Sequence, residues 1–412
     1  MQLSYLSGFL PWVHSLTLLQ LISILAIPLI FDLSRSFWKS GFLLVHQLCE
    51  KKHPLRFDPN YCPRVSLIIP AHNEGLSIER TIEALLESDY PSKEIVVVDD
   101  GSTDDTYMKV LPFAKKNLVK LLKRETASGS KAGAIDFGAS FCTGEIIYVI
   151  DGDTLLERAA IREATKFFQF DETIAVSGNV RILAGDGEVK NILTKLQSYE
   201  YLLSLEMGRR YNAITGMLTI ISGALGGFRK RIVLELGLFD KDTITEDFDL
   251  TIKLRKTGGK IFFSADSVAW TYCPATLKVW IRQRKRWAFG QVETLLKHKD
   301  AYVNQRFGLG FRAALFDMIL MDIILLFART FWIVYVLFDF SANYLYALIL
   351  ISIVYLASEL LTILSAIALS PRKGDLRLVY LLPVVVFVYR PLYGFVRMYA
   401  YFLRALGKKS GW

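Results

Sequence analysis

Three carboxylates lie close together in the stretch Thr243–Leu254, where Glu246 and Asp247 are adjacent and Asp249 follows. A carboxylate within hydrogen-bond reach of a hydroxyl group can take its proton while that hydroxyl attacks a substrate. The alternation of apolar and polar residues after Asp247 would by itself favour a strand. The N-capping Thr245, the acids of the first turn and the basic residues before a Gly-Gly pair instead predict a helix. Its positive N-terminal end would lie beside the candidate base and any bound phosphate.

A second acidic pair, Asp151 and Asp153, follows the apolar run Glu145–Ile150. If the strand continues through the pair, the two side chains share one face at a separation of roughly 6–7 Å. Two anions at that distance repel by roughly 2–3 kcal/mol at an effective dielectric constant of about 20. A divalent cation would relieve the repulsion, and oxygen ligands favour Mg²⁺ or Mn²⁺, which usually bridge to substrate phosphates. A solvated turn is the alternative for an isolated pair, but the position after a buried strand favours the cation site.

The segment Glu125–Ala134 contains mostly small side chains around Lys131. Small residues let the backbone approach a diphosphate, and a lysine supplies a point charge for it. A flexible loop is the alternative interpretation of this segment.

Three apolar runs predict the strands of a parallel sheet, because unbroken Val and Ile runs are typical of strands covered on both faces. Between the first two runs, apolar residues recur at helical spacing from Ile78 to Leu86, which predicts a strand–helix–strand crossover. Each run is followed by polar residues, in the sequences PAHNE, DDGSTDD and DGDT. Ligands of open α/β sheets bind beyond the carboxyl ends of the strands, so these residues should meet at one edge.

The overall composition predicts a membrane protein with a large aqueous part. Hydrophobic residues make up 52% and charged residues 22% of the 412 residues. The net charge of +9 suits an anionic leaflet or a phosphate-bearing ligand. The chain has no pattern typical of a nucleic-acid-binding protein, so no nucleic acid is expected as a partner. The four cysteines lack the paired spacing of a zinc site or disulfide framework.

The segment Phe9–Phe31 has no Asp, Glu, Lys or Arg and is long enough to span a bilayer. A cleaved signal peptide is the alternative, but no positive residue precedes the segment. Arg35, Lys39, Lys51 and Lys52 follow it, which by the positive-inside rule places the next domain in the cytoplasm.

Three further spans are predicted at about 315–338, 344–369 and 378–402. Lys408 and Lys409 would then lie outside, so either the last segment does not cross cleanly or these charges do not decide orientation. Ionisable residues in such segments either pair between helices or line a polar passage. Those in or near the predicted spans are Asp317, Asp322, Arg329, Glu359, Arg390 and Arg397.

The stretch Leu277–Lys297 predicts an amphipathic helix on the membrane surface, with an apolar stripe and many basic residues. Arg284 interrupts that stripe. Gln283, Arg286 and Trp287 are spaced so that they are neighbours on one helix surface.

Six motifs, in this order, resemble the processive membrane glycosyltransferases of family 2, which include the cellulose, chitin, hyaluronan and poly-N-acetylglucosamine synthases. They are PAHNE, VVDDGSTD, SKAGA, DGDT, TED and QRKRW, and the resemblance covers about Arg64 to Gln291. It implies a Rossmann-like α/β GT-A fold, typical of nucleotide-diphospho-sugar transferases. This domain would be cytoplasmic, inserted between transmembrane helices and accompanied by amphipathic interfacial helices.

The resemblance also implies roles for individual residues. Asp247 would be the catalytic base, and Asp151 and Asp153 would hold Mg²⁺ or Mn²⁺. The acceptor would contact Trp287, Ser222, Gly223 and Glu246. The nucleotide-sugar would be bound by Ala71, Glu74, Asp99, Asp100, Lys131, Asp151, Gln283 and Arg286. Asn179 and Arg181, in a stretch shared with the amino-sugar and hyaluronan synthases, are further candidates for donor or acceptor contacts.

The predicted domains are a transmembrane helix at 1–33, a juxtamembrane linker at 34–63, the glycosyltransferase domain at 64–274, an interfacial helix at 275–310 and about three transmembrane helices at 311–412. The expected protein is a multi-pass protein of the plasma membrane. With so few spans, a sugar channel would need interfacial helices, a second copy or a small accessory subunit.

The expected activity is inverting, processive β-glycosyl transfer from a UDP-sugar to a growing polysaccharide, with passage of the product into the bilayer. The layout is closest to the poly-N-acetylglucosamine synthases, which favours UDP-N-acetylglucosamine as donor. Hyaluronan, chitin or cellulose synthesis and transfer of one sugar to a polyprenyl phosphate remain alternatives. A silent membrane scaffold or transporter is the alternative outside enzymes.

Overall fold

One mixed sheet of eight strands forms the centre of the α/β part. The computed structural model describes residues 18–183, 191–338 and 342–408. The spatial order of the strands is β3-β2-β1-β4-β7-β6-β8-β5. Their bounds are β1 Val65–Ala71, β2 Lys93–Asp100, β3 Lys120–Arg124, β4 Ile146–Val149, β5 Thr154–Leu156, β6 Thr173–Ile182, β7 Gly226–Arg229 and β8 Lys260–Thr271.

The three predicted strands, β1, β2 and β4, are neighbours in parallel register. Val65 lies opposite Lys93 on one side and opposite Ile146 on the other. β1 is buried along its whole length, as its unbroken apolar sequence predicts. The carboxyl ends of these strands therefore open at one edge of the sheet, which confirms the expected placement of the polar segments. Beyond β4 the sheet becomes mixed, because β7 runs antiparallel to both β4 and β6.

Helices cover both faces of the sheet and enclose two apolar cores. Those of the α/β part are α2 Ile78–Leu86, α3 Thr106–Lys115, α4 Lys131–Ala139, α5 Ala160–Thr165, α6 Ile192–Leu202, α7 Arg210–Ile214, α8 Lys230–Glu235 and α9 Glu246–Lys256. A 3₁₀ turn, Lys166–Gln169, follows α5, and a π-helical segment, Leu203–Arg209, joins α6 to α7.

The remaining helices begin the chain or follow the sheet. They are α1 Leu18–Lys52, α10 Leu277–Lys297, α11 Asp300–Val303, α12 Leu309–Ile319, α13 Leu325–Phe338, α14 Ala342–Leu369, α15 Leu382–Val384 and α16 Arg390–Ala405. Two π-helical turns, Leu320–Ile324 and Val385–Tyr389, join α12 to α13 and α15 to α16. The 3₁₀ segments are Gln305–Phe307 and Lys373–Leu381.

Within the described residues, two helical stretches are long and apolar enough to cross a bilayer, Leu348–Leu369 and Gly374–Ala405. They overlap the last two predicted spans. The other predicted C-terminal span, at about 315–338, is also helical, but it is not one of these two stretches. The first half of the predicted N-terminal span, before Leu18, lies outside the described residues, as does Lys409.

Each of the six ionisable residues in or near the predicted C-terminal spans has an oppositely charged partner. The pairs are Arg35–Asp317 at 2.8 Å, Arg329–Asp32 at 2.6 Å, Arg390–Glu359 at 2.8 Å and Arg397–Asp322 at 3.3 Å. The structure therefore shows the first of the two predicted alternatives, in which these residues pair between helices. Such pairs tie α1 to the C-terminal helices, since an unpaired charge in this environment is costly.

We expect Gly227→Ala to destabilise the protein. A Cβ at Gly227 of β7 would lie 2.5 Å from the ring of Tyr148. That ring is fully buried, and its hydroxyl is 2.9 Å from Thr165 Oγ1, so it has no room to move aside. Overpacking of this kind costs about 1–3 kcal/mol. The measurement is the unfolding temperature of the detergent-purified protein.

Gly41→Ala in α1 is the matched control, because a Cβ there would meet nothing within 4 Å. Equal unfolding temperatures for the two variants would contradict the close packing of β7 against β4.

Candidate active site

A cavity of about 930 Å³ opens at the carboxyl edge of the parallel strands. Its wall combines the ends of β1, β2 and β4 with the first turns of α4 and α9, the π-helical segment, α10 and α16. The predicted site residues that line it are Ala71, Glu74, Asp100, Lys131, Asp151, Asp153, Ser222, Gly223, Glu246, Asp247, Gln283, Arg286 and Trp287. Seven separate parts of the sequence thus converge on one space.

Asp99 is one predicted site residue that does not line this cavity. Its side chain is buried, and Oδ1 accepts a hydrogen bond from the backbone N of Ser102 at 3.2 Å. Successive side chains of a strand point to opposite faces, so two adjacent aspartates do not face the same space. Asp100 lines the cavity, where it accepts a hydrogen bond from Ser128 N at 2.9 Å and pairs with Arg124 at 2.9 Å.

Lys131 is the centre of charge in the cavity. It is the first residue of α4, whose N-cap Ser130 accepts a hydrogen bond from Gly133 N at 3.2 Å. Its ammonium group forms an ion pair with Asp151 and lies 3.9 Å from Glu246 Oε1. Burial alone would lower the pKa of Lys131, but Asp151 and Glu246 raise it above its ordinary value. The lysine therefore stays charged and links the end of β4 to the start of α9.

Asp151 and Asp153 lie in a turn and not on a continuing strand. β4 ends at Val149, and Thr154 N donates a hydrogen bond to Asp151 O at 3.1 Å. The separation expected from strand alternation therefore does not apply, because the chain turns between the two aspartates.

The turn nevertheless concentrates negative charge. Burial, followed by repulsion from Asp151 and Glu74, raises the pKa of the Asp153 carboxyl to about 7. A bound cation would favour the ionised carboxylate in place of the proton. The described residues contain no cluster of three or more His, Cys, Asp or Glu side chains able to hold a metal. Two carboxylates fit an Mg²⁺ or Mn²⁺ ion whose remaining ligands are phosphate oxygens and water.

α9 confirms the predicted helix, running from Glu246 to Lys256 with Thr245 at the N-cap. Thr245 makes no capping hydrogen bond with its side chain; its hydroxyl lies 3.3 Å from Thr294 Oγ1. Asp247 Oδ1 accepts a hydrogen bond from Phe248 N at 2.8 Å. Asp249 is fully buried away from the cavity and contacts His298 Nε2 at 2.9 Å. The third acid of this stretch therefore anchors the helix.

Asp247 and the Asp151–Asp153 turn face the same cavity, and Gly223 marks where they meet. A Cβ on Gly223 would lie 2.8 Å from Lys131 Nζ and 3.8 Å from Asp247 Oδ2. A larger residue there would displace the lysine, so the small residue keeps Lys131 and Asp247 close together. Burial raises the pKa of the neighbouring Glu246 carboxyl, although Lys131 acts in the opposite direction.

Gln283, Arg286 and Trp287 of α10 line the cavity together, as their spacing predicts. Arg284, which interrupts the apolar stripe in sequence, is fully buried and pairs with Glu200 at 2.7 Å. Its guanidinium carbon lies 4.2 Å from the centroid of the Trp287 ring and supports that ring. On the stripe itself, Trp280 donates a hydrogen bond to Tyr389 OH at 3.1 Å. The stripe of α10 thus packs against other helices of the protein.

Two residues proposed from the sequence as ligand contacts are used inside the protein instead. Asn179 Nδ2 donates a hydrogen bond to Glu206 Oε1 at 3.0 Å, and Arg181 donates one to the same oxygen at 2.8 Å. Both side chains are buried, and neither lines the cavity. The structure therefore does not bring these two side chains to the cavity, and Glu206 accepts a hydrogen bond from each of them.

Several residues that line the cavity were not assigned to the site from the sequence: Glu200, Tyr201, Arg209, Gln291, Asp322, Tyr393 and Arg397. Gln291 donates a hydrogen bond to Asp322 at 2.9 Å, and Arg397 donates one to Gln291 at 3.1 Å, which links α10, the turn after α12, and α16. For Asp322 and Arg397, the sequence did give an indication, because each is a charged residue in an apolar segment. Nothing in the sequence indicates that the other residues belong to the site, because the residues they contact are distant in sequence.

Two curated relatives resemble this chain over part of their length. Poly-beta-1,6-N-acetyl-D-glucosamine synthase of Staphylococcus epidermidis is 30% identical over 234 residues, which are 57% of this chain and 56% of that protein. The probable glycosyltransferase YdaM of Bacillus subtilis is 32% identical over 262 residues, 62% of this chain and 61% of that protein. The similarity therefore spans little more than half of each relative.

A solved structure, the mannosyltransferase PcManGT from Pyrobaculum calidifontis in complex with GDP-Man and Mn²⁺, has a similar fold. The TM-score is 0.64 at 22% sequence identity, covering 94% of this chain and 100% of that chain. This likeness confirms the expected GT-A-like fold.

The family match covers the strands, the turn and most of the helices that build the cavity, but not α16. Residues 63–290, more than half of the chain, match the family described as glycosyltransferase-like family 2. The chain therefore belongs to the family 2 glycosyltransferases.

Proposed function

We propose that this protein is an inverting, processive β-glycosyltransferase that extends a polymer of N-acetylglucosamine from UDP-N-acetylglucosamine. The observation that carries the proposal is the shared cavity, in which Lys131 links the carboxylates beside the parallel strands to the first turn of α9. In such an arrangement, a donor diphosphate bound by Lys131 would lie next to an acceptor hydroxyl at the first turn of α9.

The donor would occupy the end of the cavity formed by the parallel strands. Glu74 and Asp100 would flank the nucleoside, with the backbone of Ala71 beside it. Lys131 would exchange part of its contact with Asp151 for the diphosphate. Gln283 and Arg286 would approach the same diphosphate from α10. A fully charged lysine suits this exchange, because an ammonium group contacts phosphate as a point charge.

Asp151 and Asp153 would hold Mg²⁺ or Mn²⁺ together with the donor phosphates. The crowding of negative charge at Asp153 supports this assignment. When bound, the cation would stabilise negative charge on the departing diphosphate.

The proposed reaction is a single displacement. The acceptor hydroxyl loses its proton to the Asp247 carboxylate, and its oxygen forms a bond to the anomeric carbon. The bond from that carbon to the diphosphate oxygen breaks, and UDP leaves with the bonding electron pair. Attack from the side opposite the leaving group converts an α-linked donor into a β-linked product. General-base assistance of this kind contributes about 10²- to 10⁴-fold to the rate.

The acceptor would enter past Trp287, Ser222, Gly223 and Glu246. The Trp287 ring, supported by Arg284, offers a face for a sugar ring. The proposal of an N-acetylglucosamine polymer is supported by the names of the curated relatives. The cavity also reaches residues of the C-terminal helices, Tyr393 and Arg397, which would lead a product towards the membrane.

A second candidate is transfer of one sugar to a polyprenyl phosphate. The hydrogen bonds that join Gln291, Asp322 and Arg397 cross the end of the cavity next to the C-terminal helices, and this observation favours a short acceptor. The solved mannosyltransferase with GDP-Man also makes a GDP-sugar donor worth testing. A plasma-membrane location with a cytoplasmic catalytic domain suits both candidates. A second copy or a small accessory subunit would be needed only for a wide polymer channel.

We expect Asp247→Asn to reduce UDP release by about 10²- to 10⁴-fold, because the amide cannot accept the proton of the acceptor hydroxyl. The measurement is UDP release by the purified protein with UDP-N-acetylglucosamine. Asp242→Asn is the matched control, since Asp242 is exposed and pairs with Lys297 outside the cavity. Full activity of Asp247→Asn would exclude its role as the base.

Chelation of divalent cations should abolish UDP release, and added Mn²⁺ or Mg²⁺ should restore it. Asp153→Asn should weaken Mn²⁺ binding in the presence of UDP, as measured by electron paramagnetic resonance of free Mn²⁺. Glu125→Gln serves as the control, because that glutamate is an exposed loop residue beside Lys123. Unchanged Mn²⁺ binding by Asp153→Asn would show that the turn is not the cation site.

A panel of labelled donors should give incorporation from UDP-N-acetylglucosamine and a product of many residues by size analysis. A product with a single sugar, extractable with lipid, would favour polyprenyl-phosphate transfer and contradict processivity. Incorporation of UDP-glucuronate together with UDP-N-acetylglucosamine would favour hyaluronan synthesis. Absence of nucleotide release with every UDP- and GDP-sugar and both metals would contradict the enzyme proposal.

A further inference from the structure

Arg209 is a cation in the cavity wall that the proposed mechanism does not yet use. It ends the π-helical segment Leu203–Arg209, and Ser204 and Leu205 of the same segment also line the cavity. Its Nη1 atom is buried and has no hydrogen-bond partner among the described residues. Buried donors are nearly always hydrogen-bonded, so an orphaned guanidinium nitrogen in a cavity points to a missing ligand. π-Helical segments are also frequent at functional sites.

Two other cations of the same wall are already bound by the protein, and a third, Arg286, is proposed to contact the diphosphate. Lys131 contacts Asp151 and Glu246, and Arg397 pairs with Asp322. Arg209 differs from Lys131 and Arg397 in that it has no ion pair within the described residues. An arginine cannot lose its charge to relieve burial, so it requires an oxygen from a ligand or water.

The charged neighbours of Arg209 place it on the acceptor side of the cavity. The groups close enough to act on it electrostatically are Asp247 and Tyr201, and both of these also line the cavity. Burial lowers the pKa of the Arg209 guanidinium, and Asp247 opposes this effect. Arg209 therefore lies near the proposed base.

We infer that Arg209 is an acceptor-binding residue, which donates a hydrogen bond from Nη1 to an oxygen of the acceptor near the hydroxyl that Asp247 deprotonates. This inference rests on the proposed glycosyl transfer. Arg209 forms and breaks no covalent bond in the reaction. It orients the acceptor so that the hydroxyl proton faces Asp247 and the oxygen faces the anomeric carbon.

The ligand chemistry is an oxygen that accepts a charge-assisted hydrogen bond, which both a sugar hydroxyl and a lipid phosphate provide. The two sources are distinguished by two added acceptors, a β-1,6-linked N-acetylglucosamine oligosaccharide and a short polyprenyl phosphate. If the Arg209 variants lose activity with only one of these acceptors, that acceptor supplies the oxygen that Arg209 binds.

The test uses Arg209→Ala and Arg209→Lys in the purified full-length protein. With saturating donor, kcat/KM for the acceptor should fall by roughly 10- to 100-fold in Arg209→Ala, the range for losing a hydrogen bond to a charged group. The donor KM and the slow release of UDP to water should stay close to wild type. Added guanidinium ion should partly restore acceptor use by Arg209→Ala, an effect that a merely structural role would not give.

Two further arginines provide controls. Arg286→Ala should raise the donor KM, because Arg286 is proposed to contact the diphosphate. Arg282→Ala should change neither constant, since Arg282 is exposed on α10 outside the cavity. A selective effect on the acceptor would then belong to Arg209 and not to any loss of positive charge.

An acceptor kcat/KM of Arg209→Ala equal to wild type, or a change in the donor KM alone, would overturn the inference. If Arg209→Ala does not fold, Arg209→Lys decides: a raised acceptor KM with normal donor KM supports the inference, and wild-type constants contradict it. If the wild-type protein releases no nucleotide from any donor, the proposed function fails, and that result is distinct from a failure of the Arg209 assignment.

Discussion

One ammonium group joins the separate parts of the cavity. Lys131 forms an ion pair with Asp151 at the end of a strand, approaches Glu246 at the start of α9 and lies 3.5 Å from the carbonyl of Gly223. Without this cation, acids from these elements would repel each other in a partly dehydrated space. Their mutual placement, on which any chemistry in the cavity depends, therefore requires the lysine. A diphosphate that competes for Lys131 would alter the contacts of both acidic groups.

Buried charge also joins the α/β part to the C-terminal helices. Glu206 is fully buried and pairs with both Arg181 of β6 and Arg210 of α7. Arg181 extends the network to Asp375, which precedes the last helix, at 3.1 Å. Removing one partner of such a network leaves an uncompensated charge, which is strongly destabilising. The sheet and the C-terminal helices are consequently fixed relative to one another, and the cavity can use residues of both.

The two sides of the cavity differ in chemistry. The strand side is rich in carboxylates and contains the lysine, which suits a phosphate with a cation. The helix side combines aromatic rings with Arg209, whose free donor faces no protein oxygen among the described residues. Because of this asymmetry, a phosphate-bearing donor would bind on the strand side and an acceptor sugar on the helix side. Gln291 and Asp322 both line the cavity, so a long product that left between them would require their hydrogen bond to open.

Local sequence patterns determined much of this protein. The apolar runs defined β1, β2 and β4, and the capping pattern defined α9, because hydrophobic period and helix ends depend on neighbouring residues. Helical spacing alone placed Gln283, Arg286 and Trp287 on one surface. The ordered motifs also identified the family, and every site residue in them except Asp99 lines the cavity. Tertiary structure decided the rest: which of Asp99 and Asp100 faces the cavity, that Asp151 and Asp153 lie in a turn, that Asn179 and Arg181 donate hydrogen bonds to Glu206, and that Arg209 Nη1 has no partner among the described residues. These outcomes depend on contacts between residues far apart in sequence, and a one-dimensional pattern does not contain the partner that satisfies a buried charge.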